Sequence, residues 1–260
     1  MRQDPWRPEQ YLRYRKERKQ PFFDLLDLVR PRAGMRVVDL GCGTGELTAE
    51  LHRRLKARET IGIDSSDAML GQAESPTPKG LRFLNHDIRD FMESGESGDF
   101  DLVFSNAALH WVPEHRQLLG RLTDALAPGG QLAIQVPANF DHVSHLTASE
   151  VARESPFEAL LEGYTHPISV LQPEAYALLL EELGYRSQHV RLHVYGHHLA
   201  SREDVVEWLK GSLLTVYERR LSEDLFAEFR DRYRSKLLTR LEDKRPYFFT
   251  FKRILMWAER

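Results

Sequence analysis

Cysteine occurs once in the 260 residues, at Cys42. A single thiol excludes an intramolecular disulfide and cannot supply a multi-thiolate metal site. No run of about 18 apolar residues is present, so no membrane-spanning helix is expected. The opening MRQDPWRPEQ lacks the apolar segment of a secretory signal. These absences lead to the expectation of a soluble cytoplasmic protein. Hydrophobic residues at 42% and aromatics at 10% are enough for a core, which excludes global disorder.

Charge of either sign is scarce as a net quantity, at -3, but it is unevenly placed. Residues 1–36 carry ten Lys/Arg against five Asp/Glu, and residues 214–260 carry twelve against eight. The middle, 37–213, carries 14 against 26. Basic end segments thus flank an acidic body, a pattern that suits solvated helix faces or a mouth that draws in a small anion. The basic residues are diluted by acids and form no continuous patch, so no nucleic-acid partner is expected. The partner expected is a small anionic molecule, with no membrane association and a monomer or weak homodimer as the working unit.

Along the chain, apolar runs at 35–40, 60–65, 81–87, 100–107 and 131–137 alternate with helical periodicities of about ten residues, which is the signature of repeated βαβ units. The early part reads as a polar helix over YLRYRKERK and a second helix after Pro21, with Phe22, Leu25, Leu26 and Val29 on one face. Later segments predict helices at 149–162, 173–183, 202–218 and 222–242, and strands at 187–196 and 247–258. The expected fold is α/β: a Rossmann-like, doubly wound, mostly parallel seven-stranded sheet with helices on both faces and a helical cap. Its predicted parts are an N-terminal helical lid (1–34), a core (35–200 and 246–260) and a cap insertion (201–245).

The stretch VVDLGCGTGELTAEL, Val37 to Leu51, passes from strand to helix through three glycines in five residues. A phosphate loop needs a lysine after the last glycine; here Glu46 stands at the helix start and would repel a phosphate. A dinucleotide fingerprint is G-x-G-x-x-G, and this loop is one residue short. Asp39, ahead of the first glycine, suits a cationic group at the carboxyl edge of the first strand. An amino-acid-bearing nucleoside with an ammonium and a ribose satisfies both ends, and S-adenosylmethionine is such a ligand. Asp64 ends the second strand 25 residues after Asp39, where its carboxylate can accept both ribose hydroxyls. Asp87, followed by Ile88, is placed for an adenine amino group and ring face. Asn106 ends the fourth strand beside two alanines. All four lie at carboxyl ends of strands, the edge where open α/β sheets bind ligands.

Through DLGCGTG, GIDSS and DIRDF, the stretch 35–137 resembles the class I S-adenosylmethionine-dependent methyltransferases. Over nearly its full length the chain is similar to the trans-aconitate methyltransferase family, through YLRYRKERKQP, GIDSSDAML, SNAALHWVPEH, LAIQVPANF and VVEWLKG. A more distant likeness is to the malonyl-carrier-protein methyltransferases of biotin synthesis. Both families methylate a free carboxylate. The resemblance implies that Asp39, Gly41, Cys42, Gly43 and Gly45 hold the methionine end of S-adenosylmethionine. It further implies Asp64 and Ser65 at the ribose, Met69 at the adenine edge, Asp87 and Ile88 at the adenine, Asn106 at the amino group, and Tyr11, Tyr14 and Arg18 in a lid. The family carries a Gly-Leu-Arg-Pro-like stretch in the cap, whereas this chain has GSLLTVYERRL. Arg219 and Arg220 are the candidate replacements for the missing cation.

A carboxylate acceptor is ionised at neutral pH and needs no general base. In that case His110 donates a hydrogen bond to it. In the alternative, a methyltransferase of the same fold acting on another small O, N or C nucleophile, His110 is the base. Trp111, Gln135 and Tyr247 are candidate substrate contacts, and Arg245 and Arg253 further candidates for anion contact. The histidines at 193, 197 and 198, and at 142 and 145, match no metal-ligand spacing, and no metal is expected.

Overall fold

The computed structural model describes residues 15–73, 76–93, 98–165 and 168–260. Helix α1 (Arg15–Leu26) runs through Pro21 rather than stopping there. Proline removes one backbone hydrogen bond and costs about 3 kcal/mol in a helix interior. Burial offsets that cost: Phe22 and Leu25 are fully buried, and Phe22 meets Phe104 edge-on at 5.3 Å. Tertiary packing therefore overrides the local break.

Five parallel strands follow in βαβ order: β1 (Arg36–Leu40), β2 (Glu59–Asp64), β3 (Leu81–Asn85), β4 (Phe100–Asn106) and β5 (Leu126–Pro137). Between them lie α2 (Glu46–Leu55), α3 (Asp67–Leu70), α4 (Ile88–Glu93) and α5 (His115–Asp124). Later elements are α6 (Val143–Ala152), α7 (Phe157–Leu160), α8 (Pro173–Glu182), β6 (Ser187–Leu199), α9 (Glu203–Lys210), α10 (Thr215–Glu218), α11 (Glu223–Arg240) and β7 (Tyr247–Glu259). The sheet has seven strands in the order β3-β2-β1-β4-β5-β7-β6, and β7 runs antiparallel to β5. Order reverses between β1 and β4, so a crevice opens at their carboxyl ends, as expected for a doubly wound sheet.

Several expectations for element boundaries need correction; the single helix expected over 202–218, for one, is α9 and α10 with residues 211–214 between them. The helix expected over 149–162 is instead α6 and α7, because the chain caps at His142, whose imidazole accepts the Ser144 N–H. Strand β3 ends at Asn85, so Asp87 lies past it, in the turn that begins α4. There Asp87 Oδ1 accepts the Arg89 N–H at 2.8 Å, a turn-forming bond that ends the strand.

The described residues fall into two compact units, one within Met1–Pro137, Ser169–His193 and Arg253–Arg260, the other within Ala138–Ile168 and Val194–Lys252. Residues 138–168 therefore group with the segment expected as a cap rather than with the sheet core. The cause is the long helix α11, which holds α6 and α7: Phe229 packs on Phe157 at 5.1 Å, and Arg240 makes a fork to Glu150 with bonds of 3.0 and 2.7 Å. No helix among the described residues is long and apolar enough to cross a membrane.

Candidate active site

The bare loop between β1 and α2 follows from steric crowding. Gly41 has φ +78°, and a Cβ built on it would stand 2.1 Å from Ala108 Cβ. Gly45 has φ +73°, and its Cβ would stand 2.5 Å from the Phe83 ring. Side chains are excluded here by both backbone and space. The loop is fastened to β2: the amides of Gly41 and Cys42 donate to the Ile63 carbonyl at 2.8 and 2.9 Å.

Two carboxylates frame that loop. Asp39 is buried, and Thr48 on α2 donates to its Oδ2 at 2.6 Å. Burial pushes its pKa up to about 7, the Thr48 bond acting against that and the charge of Asp64 adding to it. Asp64 accepts the Gly43 N–H on one oxygen at 2.8 Å and the Ser66 N–H on the other at 3.0 Å. Asp64 thereby fastens the glycine loop to the end of β2. Ser66, at the expected start of the helix, caps it by accepting the Met69 N–H at 3.1 Å and seats the buried Met69 beside the loop. Ser65 is exposed. The Cys42 thiol is pushed well up, first by burial and then by the two aspartates, so it is a packing group rather than a nucleophile.

Glu46, whose charge counted against phosphate, is paired with Lys19 of α1 at 2.8 Å. Asp87 sits below the usual carboxylate range because Arg89 hydrogen-bonds to it, with burial opposing. Ile88 opens α4 next to it.

On the fourth strand, Asn106 Oδ1 is buried with no hydrogen-bond partner among the described residues. Ala107 then takes φ +57°, turning the chain into a 3-10 turn, Leu109–Trp111. The rings of His110 and Trp111 lie 4.6 Å apart. A relay that the sequence did not disclose holds this turn. The Leu171 N–H donates to Tyr176 Oη at 3.2 Å, Tyr176 bonds His115 Nδ1, and His115 Nε2 donates to the Leu109 carbonyl at 3.0 Å. Burial lowers the His115 pKa, consistent with the neutral imidazole the relay requires.

Of the remaining candidates, Gln135 is fully buried on β5, directly opposite Asn106. Arg219, Arg220 and Tyr247 belong to the second unit. Arg219 and Arg220 are exposed, and Arg220 lies over the Tyr164 ring at 3.7 Å. Tyr247, half-buried, begins β7. Tyr11 and Tyr14 lie outside the described residues; Arg18 is within α1, with its side chain outside them. No group of three or more His, Cys, Asp or Glu that could hold a metal occurs among the described residues.

Around the crevice, acceptor groups therefore stand where a cation would sit, at Asp39 and the Asn106 oxygen, and the Asp64 carboxylate ends the next strand, β2. That set fits S-adenosylmethionine, with an ammonium at one end and a ribose diol further on. A family model described as a methyltransferase domain matches residues 11–190. Trans-aconitate 2-methyltransferase of Deinococcus radiodurans is 44% identical, with 98% of both chains covered. Its counterpart in Mycobacterium tuberculosis strain H37Ra is 37% identical over 98% of this chain and 96% of that protein. In fold, the chain is similar to the crystal structure of YcgJ protein from Bacillus subtilis, with TM-score 0.62, 16% identity, and 93% and 98% of the two chains covered.

Proposed function

Since the chain belongs to the S-adenosylmethionine-dependent methyltransferases, and within them to the family of the trans-aconitate 2-methyltransferases, we propose that it methylates a carboxylate of trans-aconitate or a closely related tricarboxylic acid. The activity for which the relatives are named supports the acceptor class, and the observation in this chain that carries the reading is the polarity of the rim. The cofactor supplies a methyl group already activated on a positively charged sulfur. What the protein contributes is alignment and exclusion of water.

In this reading Asp39 and the Asn106 oxygen receive the ammonium, while Asp64 receives the ribose hydroxyls. Met69, buried at 4% exposure, and Ile88 border the adenine, with Asp87 at its amino group. The bare backbone of Gly41, Gly43 and Gly45 lets the ligand approach closely. His110 and Trp111, fixed by the His115–Tyr176 relay, form the wall at which the acceptor carboxylate meets the methyl. The protein acts in solution, in the cytoplasm, as a monomer or weak dimer.

The test is transfer of labelled methyl from S-adenosylmethionine to trans-aconitate, with the ester located by mass spectrometry. A panel of tricarboxylic acids giving no ester would overturn the reading. The pH profile separates the two mechanisms. At saturating S-adenosylmethionine, where the ionisation of Asp39 no longer limits binding, a carboxylate nucleophile gives a kcat that is flat from about pH 6 upward, whereas a histidine base gives a rise through about pH 7. We expect the flat profile, with His110→Ala lowering kcat about 10- to 100-fold and leaving S-adenosylhomocysteine affinity within about twofold. Full activity in that variant removes His110 from the site.

A further inference from the structure

Strand β5 carries two fully buried glutamines four residues apart, Gln131 and Gln135, and the fold treats them differently. Gln131 uses both ends of its amide. Its oxygen accepts the Arg30 N–H at 2.9 Å and the Trp257 indole N–H at 2.8 Å, and its nitrogen donates to the Arg30 carbonyl at 2.7 Å. The Gln135 oxygen accepts from Arg253 Nη1 at 3.2 Å, while its nitrogen, equally buried, has no partner among the described residues. A guanidinium only donates, so that bond settles which end of the amide faces it, whatever else the guanidinium meets. The Gln135 nitrogen is left as a committed donor.

Asn106 stands beside it, in register on β4, with the opposite need. Its side-chain oxygen is buried and has no partner among the described residues. Paired residues on neighbouring strands present their side chains to the same face, about 4.8 Å apart. Phe104, two residues before Asn106, packs on Phe22 of α1, so this is the face that α1 covers. At the carboxyl rim an acceptor and a donor therefore lie side by side, and neither is bonded to the other. Buried polar groups without partners are costly, and they persist in native proteins where a ligand satisfies them.

An ammonium and a carboxylate on one carbon match an acceptor and a donor one strand apart. Burying a carboxylate against a neutral amide is costly when the charge stands alone. In an α-amino acid the neighbouring ammonium offsets that charge, so a neutral donor suffices; a separate acid brings no counter-charge of its own. We infer that the Gln135 nitrogen donates to the α-carboxylate of S-adenosylmethionine while the Asn106 oxygen takes its ammonium, so that paired residues of β4 and β5 clamp the amino-acid end of the cofactor. The inference rests on the placement of the ammonium at Asn106 given above, and it moves Gln135 from the acid's side of the site to the cofactor's.

The experiment is calorimetric titration of S-adenosylmethionine, and of its decarboxylated form, into the wild type and two variants. The two ligands differ only in the carboxylate. The wild type is expected to bind the intact cofactor about tenfold or more tightly than the decarboxylated one. Gln135→Met, of similar size but without the donor, is expected to weaken the intact cofactor about 10- to 100-fold and the decarboxylated one by less than about threefold. Gln135→Glu keeps an acceptor facing Arg253 and sets a negative charge where the carboxylate lies. It is expected to reverse the preference, the intact cofactor weakening about 100-fold or more while the decarboxylated one binds at least as tightly as to the wild type. Binding of the decarboxylated form shows that each variant is folded. An unchanged preference in both variants overturns the assignment. So does an unchanged preference joined to loss of trans-aconitate binding by the protein saturated with S-adenosylhomocysteine, which gives Gln135 to the acceptor instead. A wild type that binds the two forms equally has no carboxylate contact there, and the inference fails while the ammonium placement stands. A wild type that binds neither form loses the cofactor placement itself, and this inference with it.

Discussion

At pH 8, Asp39→Asn is expected to make the ligand-free protein more heat-stable and to remove most of its affinity for S-adenosylhomocysteine. Asp39 has its pKa raised from 3.8 to about 7, chiefly by burial. Below pH 4 the carboxyl is protonated in both folded and unfolded chains, and its neutral form costs the fold nothing. As pH climbs from 4 to 7 the unfolded chain has given up the proton while the folded chain keeps it, so stability falls across that window and levels off above it. A tenfold weaker acid in the folded chain corresponds to about 1.4 kcal/mol, and relaxation around the charge reduces the total to roughly 1–3 kcal/mol. Asparagine matches the shape, can still accept the Thr48 hydroxyl, and never ionises. Scanning calorimetry should show the variant melting roughly 2–8 °C higher at pH 8 and no higher at pH 4. Binding should move the other way. A charge-assisted bond to an ammonium is worth roughly 1.5–3 kcal/mol, so affinity is expected to fall about 10- to 150-fold. In the wild type, ligand affinity should rise between pH 6 and 8 as Asp39 ionises unassisted, and this slope should be absent from the variant. Equal affinity in the two proteins would remove Asp39 from the ligand.

The contrast between Asp39 and Arg253 shows which parts of the site a sequence can disclose. Asp64 and Asn106 each end a strand whose apolar run is plain, Asp39 stands one residue before the end of another, and the glycines between β1 and α2 mark the backbone's freedom directly. Such positions are local features repeated at a βαβ interval, so a one-dimensional pattern carries them. Arg253 and Gln135 stand in the sequence only as separate candidates 118 residues apart; that Arg253 is buried, and that the register against Pro137 brings it to Gln135, shows only in the fold. The His115–Tyr176 bond joins residues 61 apart, with no spacing rule to announce it. Helix starts were hidden where capping was unusual: His142 caps α6 with an imidazole, a residue type outside the usual set of Ser, Thr, Asp and Asn. The break expected at Pro21 failed for the opposite reason. A strong local signal was outweighed by the burial of Phe22 and Leu25, which the sequence shows only as a face without saying what it meets.

The closest approach in the site yields the other large effect. Gly41→Ala is expected to lower the melting temperature by roughly 10 °C and to abolish measurable cofactor binding, because it meets two separate penalties. The first is conformational: φ +78° costs an L-residue about 1–2 kcal/mol. The second is steric, the new Cβ standing 2.1 Å from Ala108 Cβ, an overlap that forces β1 and the turn after β4 apart and costs about 1–3 kcal/mol in a packed interior. A double-mutant cycle separates them. Ala108→Gly alone should cost about 1 kcal/mol or less through added chain freedom. Combined with Gly41→Ala it removes the atom that is struck, so the pair should be more stable than Gly41→Ala alone by about 1–3 kcal/mol, while the backbone penalty remains. Non-additivity of that sign is what direct contact requires. Cofactor binding should return only in part, since the loop still carries a residue forced into a left-handed conformation. Additive destabilisation would mean that the two residues do not touch, and that the crevice between β1 and β4 is not set by their contact.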